Sequence, residues 1–330
     1  MLKVLGRGFA SVALFLVAFI VLGGVMTASG APRPRGQMVQ IEPGRSLRLV
    51  CAGSRSDRPV VWLEAGAFGF SADWGATQDA LTAAGWRSCA YDRAGMGYSP
   101  PGPGPRDGLA IVSDFEKLVA VAGEPGPYIL VGHSMAGLRL REYAGRNPGQ
   151  VAGLVLVDAA TPESASNPRM AGFIRAFSTA SRWAARGASI GLFKPLVHTG
   201  LADKIGLPPQ AGAEKRWAFA DGRHNRTSAA EVELWPKASE QAEAQPPYDP
   251  NWPLAVVTAG PVKGREAWKA LQAAPAEASR HGLVDHVAAA SHTRLLGGAF
   301  ADHIVRAVVF VGQARQAERA VHPREAGAGG

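Results

Sequence analysis

Tyr128-Ile129-Leu130-Val131-Gly132-His133-Ser134-Met135-Ala136-Gly137 opens as a short apolar run with β character, then crowds Gly, Ser, Ala and Gly into a tight turn. Leu138-Arg139-Leu140-Arg141-Glu142-Tyr143-Ala144 follows and reads as a helix. A serine at the apex of such a strand–turn–helix unit sits on strained backbone, so the residues two places away must be small. Gly132 and Ala136 meet that need, which makes Ser134 a candidate nucleophile with its hydroxyl clear of the sheet. Taken alone, the same stretch also suits a glycine-rich loop without chemistry, so the surroundings must decide.

Working outward, strands and helices alternate on both sides of this turn. Upstream, Met38–Glu42 and Ser46–Cys51 alternate apolar and polar residues around the Pro43-Gly44 turn, as a hairpin does. Pro59–Gly66 is a continuous apolar run of the kind buried on both faces of a sheet. Trp74–Ala84 reads as a helix closed by Gly85, Trp86–Tyr91 as a strand and Leu109–Val121 as an amphipathic helix. Downstream, Val151–Asp158 is a buried strand, Leu254–Ala259 another and Leu283–Ala290 the last, with helices over about Arg265–Ala274 and Ala299–Arg315. This alternation predicts an α/β fold with an open, mostly parallel sheet covered on both faces. Between Thr161 and Pro250 strand signals vanish, and helical stretches carrying Trp183, Trp217 and Trp235 read as an insertion.

Composition narrows the function. The chain has 330 residues, 47% of them hydrophobic, enough for one large α/β domain with an insertion. Its net charge of +8 is scattered and accompanies no nucleic-acid motif, so it bears on solubility and on attraction to anionic lipid surfaces. Two cysteines with no zinc-like spacing call for no metal, and nothing calls for a cofactor. At the N-terminus, Lys3 and Arg7 precede an apolar run from Phe9 to Met26, close to the ~20 residues that span a bilayer. Ala28-Ser29-Gly30 could serve as a small-residue cleavage site, so the run is expected to be either a cleaved export signal or an uncleaved anchor, with residues 31–37 a linker. Membrane attachment or secretion with an extracytoplasmic domain follows from either.

Leu63-Glu64-Ala65-Gly66, Tyr91-Asp92-Arg93-Ala94-Gly95-Met96-Gly97-Tyr98-Ser99, Gly132–Gly137 and Ser291-His292, in that order and spacing, resemble the α/β-hydrolase fold over about residues 38–315. The chain looks like an exported or membrane-attached bacterial esterase or lipase. The resemblance implies a core of residues 38–160 and 251–315 and a helical cap over 161–250, while the Ala/Gly-rich tail over 316–330 reads as disordered. It also places the strand of Cys51 beside that of Cys89, and an oxidising compartment then permits a disulfide between them.

The fold's chain order of serine, acid, histidine assigns the base to His292, just after the last strand, ahead of His133, His281, His286 and His303. The acid is less regular. The loop after Leu254–Ala259 has no Asp and only a late Glu266, whereas Asp158 ends the preceding sheet strand, so Asp158 is the assigned acid and Glu266 the alternative. The oxyanion donors implied are the amides of Met135 and Ala67, with Phe68 a close alternative to the latter. Asp92 and Arg93 read as a charged pair fixing a nearby loop. The expected reaction is metal-independent hydrolysis of a carboxylic ester with an apolar acyl or alcohol group. The alternative is a catalytically inactive, membrane-tethered binding protein of the same fold.

Overall fold

A computed structural model describes residues 2–26, 30–165, 167–199 and 205–321. The chain opens with helix α1 (Leu2–Met26) and enters a sheet through β1 (Gln37–Glu42), β2 (Arg45–Ala52) and β3 (Val61–Glu64). Then come α2 (Gly75–Ala83), β4 (Ser88–Asp92), α3 (Gly108–Val121), β5 (Tyr128–His133), α4 (Ala136–Arg146) and β6 (Val151–Val157). Among the described residues, α5 (Pro162–Ala165), α6 (Pro168–Ser189), α7 (Pro209–Ala220), α8 (Gly222–Glu233) and α9 (Trp235–Glu243) follow with no strand between them. The sheet resumes with β7 (Leu254–Ala259), α10 (Glu266–Glu277), β8 (Gly282–Val287) and α11 (Ala301–Val321).

The eight strands lie in the order β1-β2-β4-β3-β5-β6-β7-β8. β2 runs antiparallel to both its neighbours, and every other pair is parallel. Every residue of β3, β5, β6 and β7 is buried, which is why these strands read as continuous apolar runs. Alternate side chains feed two cores. Trp62, Leu130, Leu154 and Val256 pack with Phe115 and Leu118 of α3 and Tyr143 of α4 on one face. Val61, Val131, Val155 and Val257 pack with Leu81 of α2 and Ile304, Val308 and Val311 of α11 on the other.

Several boundaries differ from the sequence reading. The fourth strand begins at Ser88 rather than Trp86, because Gly85 takes a left-handed φ of 75° and the Trp86 amide turns back to cap α2 at the Leu81 carbonyl. The last strand ends at Val287, where the Ala290 amide folds back onto the Val287 carbonyl. The closing helix runs to Val321, into the stretch expected to be disordered, because Arg315–Ala320 is built of Arg, Gln, Ala and Glu, which favour helix. Residues 322–330 of the tail and the cleavage-site residues Ala28 and Ser29 lie outside the described residues. Side chains of α1 are described only from Ser11, and among the described residues no helix is long and apolar enough to cross a membrane.

Cys51 and Cys89 face each other across the antiparallel β2–β4 pair and are joined in a disulfide. The bond closes a loop with a sequence separation of 38. Loss of that cross-link frees the unfolded chain, at a cost of about 4 kcal/mol. The double variant Cys51→Ser/Cys89→Ser should therefore unfold at lower denaturant concentration, and reductant should shift the wild-type midpoint but leave the variant's unchanged.

Candidate active site

Among the described residues, the non-glycine residues with positive φ are Phe68 (56°), Ser134 (58°) and Asp158 (41°). An L-residue there is strained by contact of its Cβ with the backbone, and such strain persists only where surrounding bonds hold it. All three converge on the C-terminal edge of the sheet.

Ser134 follows β5 and precedes α4. Its amide donates to the Val157 carbonyl at 3.1 Å, and its own carbonyl accepts from Gly137 at 3.1 Å and Ala160 at 2.9 Å. The turn is thus tied to the end of β6 on both sides. Gly137 has no room for a side chain, since a Cβ there would lie 2.3 Å from the Ala160 oxygen.

Asp158 is the next residue after β6, and its amide is held by the Val257 carbonyl of β7 at 2.7 Å. Its Oδ1 accepts from the Ala259 amide at 3.2 Å and from Gln272 Nε2 at 3.0 Å, with Lys269 Nζ 3.7 Å away. Its Oδ2 lies 2.6 Å from His292 Nδ1. Burial raises the Asp158 carboxyl, but the His292 hydrogen bond, with Gln272 and Lys269 behind it, outweighs burial and holds it at about 2. Burial in turn lowers the Lys269 ammonium.

His292 lies in the loop after β8, its ring nearly half exposed. Its carbonyl is 3.0 Å from His133 Nε2, and the two rings lie 4.4 Å apart. A carbonyl only accepts, so Nε2 of His133 carries the proton. Burial first, and then His292, push the His133 imidazole down to about 3, which keeps it neutral. His133, the residue just before Ser134, therefore holds the His292 loop beside the turn. Ser134 Oγ itself makes no hydrogen bond among the described residues, and catalytic hydrogen bonds often close only around substrate.

The loop after β3 completes the ring. Gly66 lies against the turn, where a Cβ would stand 2.7 Å from Ser134 Cβ. The loop's carbonyls are held from behind. Arg93 Nη1 donates to Ala65 O at 2.8 Å, and its Nη2 donates to Gly66 O at 3.0 Å and Gly69 O at 3.3 Å. Arg139 also donates to Ala65 O, and Lys215 Nζ to Phe68 O at 2.8 Å. Among the described residues the amides of Ala67 and Met135 have no hydrogen-bond partner. A cavity of about 330 Å³ opens beside this loop, walled by Phe68, His133, Ile205, Phe219 and Leu296.

The structure thus brings Ser134, His292, Asp158, Ala67 and Met135 to one edge. It does not bring Glu266, whose exposed carboxylate accepts from the Gly264 amide at 2.8 Å at the start of α10. His286 pairs with Thr258 and His303 with Asp285, away from the turn. Asp92 and Arg93 are not a pair. Asp92 meets Arg48 at 3.3 Å and the amides of Ser71 and Tyr98, while Arg93 meets Glu64 and Glu231, because successive residues leaving a strand point to opposite faces. Sequence reasoning missed Gln272, Lys269 and Glu231, polar residues on amphipathic helices that carry no local signal. Glu64 had one, a lone carboxylate ending an apolar strand. The one grouping of metal-ligand types among the described residues is Cys51, Cys89 and Glu124, in which the cysteines are bonded to each other and Glu124 pairs with Arg87 and Arg55.

A family model described as alpha/beta hydrolase fold matches residues 59–184. The chain has the alpha/beta hydrolase fold. It resembles an esterase from Thermogutta terrifontis at 20% identity with a TM-score of 0.59, covering 87% of this chain and 100% of that one. It also resembles a protein described as a putative epoxide hydrolase from Pseudomonas aeruginosa, at 17% identity with a TM-score of 0.64, covering 87% and 99%. Among curated proteins it is 40% identical over 107 residues to "Probable transporter efuK" of Hormonema carpetanum, covering 31% of this chain and 15% of that protein. The chain spans between 15% and 43% of the length of the curated relatives it matches.

Two buried neutral histidines make stability depend on pH. Burial pushes His133 down to about 3 and, with Lys215 adding to it, His224 well below its usual value. A histidine depressed in the folded state stabilises it fully above the unfolded value near 6.5, and that stability is lost as pH falls from there towards the folded value. Each contributes up to about 1.4 kcal/mol per pH unit in that window. The melting temperature should fall between pH 7 and pH 5, and His133→Gln should flatten the slope; an unchanged slope would count against a neutral His133.

Proposed function

We propose that the protein is a serine hydrolase that cleaves a carboxylic ester through an acyl-enzyme. The observation that carries the reading is the 2.6 Å contact between Asp158 Oδ2 and His292 Nδ1, with the same histidine's backbone held by the residue next to Ser134. A serine hydroxyl is a weak nucleophile and needs such an oriented base. Asp158 fixes the tautomer by accepting the Nδ1 proton, which leaves Nε2 free to act as base. Ser134 Oγ attacks the ester carbon as Nε2 takes its proton. The carbonyl oxygen becomes an anion and is met by the amides of Met135 and Ala67. Collapse breaks the bond to the alcohol, which leaves with the proton from Nε2. Water then attacks the acyl group, giving its proton to His292, and the acid and free Ser134 are released.

The serine at the apex separates this reading from epoxide and haloalkane chemistry, for which an aspartate nucleophile is usual in this fold. The apolar wall of Phe68, Ile205, Phe219 and Leu296 supports a substrate with an apolar acyl or alcohol group. We also assign the chain to the exported or membrane-attached type. Support comes from the apolar run at Phe9–Met26 behind Lys3 and Arg7, and from the exposure of Val12, Leu14, Phe15 and Val25 on α1, surface that water disfavours.

A fluorophosphonate probe should label wild type and not Ser134→Ala. Asp158→Asn should lower kcat on p-nitrophenyl esters by about 10³–10⁴-fold, as loss of the orienting carboxylate does elsewhere, while Glu266→Gln should leave it within twofold. Folded wild type that takes no probe would favour the inactive binding protein instead. For localisation, the expressed chain should sediment with membranes or appear cleaved near residue 31 by intact mass; an uncut chain in the soluble cytoplasmic fraction overturns that assignment.

A further inference from the structure

Arg93 and Glu231 are buried in a contact between the core and the cap. Glu231, on α8, forks the guanidinium, with Oε1 3.0 Å from Nε and Oε2 2.8 Å from Nη2. The other edge of the same plane holds the carbonyls of Ala65, Gly66 and Gly69 and, at 3.2 Å, Glu64 Oε1. The carbonyl of Gly66 and the N–H of Ala67 belong to one peptide plane and point in opposite directions. Whatever fixes the first therefore aims the second.

We propose that Glu231 is a positioning residue for the oxyanion site: through Arg93, the cap sets the direction of the Ala67 amide. This rests on the serine hydrolase reading above. A guanidinium is a flat, rigid fork, and a bidentate carboxylate fixes its plane. Without Glu231, the buried cation has one carboxylate left within reach, Glu64, whose Oε1 is already shared with Arg139 Nε at 2.7 Å. Arg93 then turns towards Glu64 and draws Nη2 away from Gly66 and Gly69. The Gly66 carbonyl is then left with the Gly69 amide at 3.1 Å, the Gly66–Ala67 peptide tilts, and its N–H meets the developing oxyanion less squarely. Binding of the ester in its ground state is little affected, because the amide matters most once charge forms.

The cap supplies its own control. Glu214 on α7 is also buried and also pairs with a buried core arginine, Arg48, at 2.7 Å, with the Arg35 amide on the same oxygen. Unlike Arg93, Arg48 bonds to Arg35 O, Asp92 and Glu214 and, among the described residues, to no carbonyl of the 65–69 loop. Glu231→Gln and Glu214→Gln in the full chain both remove a buried cap-to-core charge pair, and both should lower the melting temperature. Only Glu231→Gln should lower kcat, by about 10–100-fold, part of what loss of a whole oxyanion donor does, with KM within twofold and a parallel drop in fluorophosphonate labelling rate. If Glu231→Gln does not fold, Glu231→Asp keeps the charge with a shorter reach and should show a smaller loss of the same kind. Wild-type kcat in the folded variant, or an equal kcat loss in Glu214→Gln, overturns the proposal while leaving the hydrolase reading intact. A folded wild type that neither turns over esters nor takes the probe fails that reading, and this inference with it.

Discussion

The left-handed backbone at Ser134 is the constraint from which the rest of the edge follows. A conformation that costs an ordinary residue on the order of 1–3 kcal/mol is stable here because three backbone hydrogen bonds oppose its relaxation. The Gly137 bond closes the turn itself, and the other two depend on β5 and β6 lying side by side in parallel register, with His133 opposite Val157. That register puts the Val157 carbonyl where the Ser134 amide needs it. It also makes Asp158 the first residue beyond the sheet on the neighbouring strand. The turn that raises the serine and the position of the carboxylate are thus two consequences of one strand pairing, and β7 extends the pattern by holding the Asp158 amide.

Charge is arranged around this frame so that dipoles point inward. The 65–69 loop has its carbonyls drawn outward by Arg93, Arg139 and Lys215, so its free amides are left for the serine side. These cations are matched: Glu64 and Glu231 for the two arginines, Asp73 for Lys215 at 2.8 Å. Buried charge is tolerable only when paired and fully hydrogen-bonded. The pairing here does more than offset desolvation, because each cation is held at an angle that orients a backbone carbonyl.

Legibility in the sequence followed locality. The sheet was readable because β3, β5, β6 and β7 are buried on both faces and so are apolar throughout. Ser134 was readable because a strained turn demands small neighbours, and His292 because it follows the last strand. Asp158 was only half readable: a strand-end aspartate looks the same whether it meets a histidine or a backbone amide. Arg93 was visible but assigned the wrong partner, since its carboxylates lie 29 and 138 residues away. Gln272 and Lys269 were invisible, because a polar residue on an amphipathic helix reads as solvent-facing, and here a buried carboxylate replaces the solvent.

Those two residues also explain why the carboxylate stands after β6 and not after β7. α10 buries Lys269 and Gln272. Lys269 donates to the Ala259 carbonyl and lies near Asp158, and Gln272 donates to Asp158 Oδ1. A buried ammonium needs a counter-charge, and Asp158 is the carboxylate it finds within 4 Å. The loop from Gly260 to Arg265 has no acid to offer, and Glu266 bonds back to its own loop at the Gly264 amide. Moving the acid to that loop would strand Lys269 without an anion and leave the Gln272 amide with only the long 3.5 Å bond to the Ala159 carbonyl. Asp158, Lys269 and Gln272 therefore form one electrostatic unit: the helix following β7 serves a carboxylate on β6, and that support keeps the carboxyl ionised and aligned with His292.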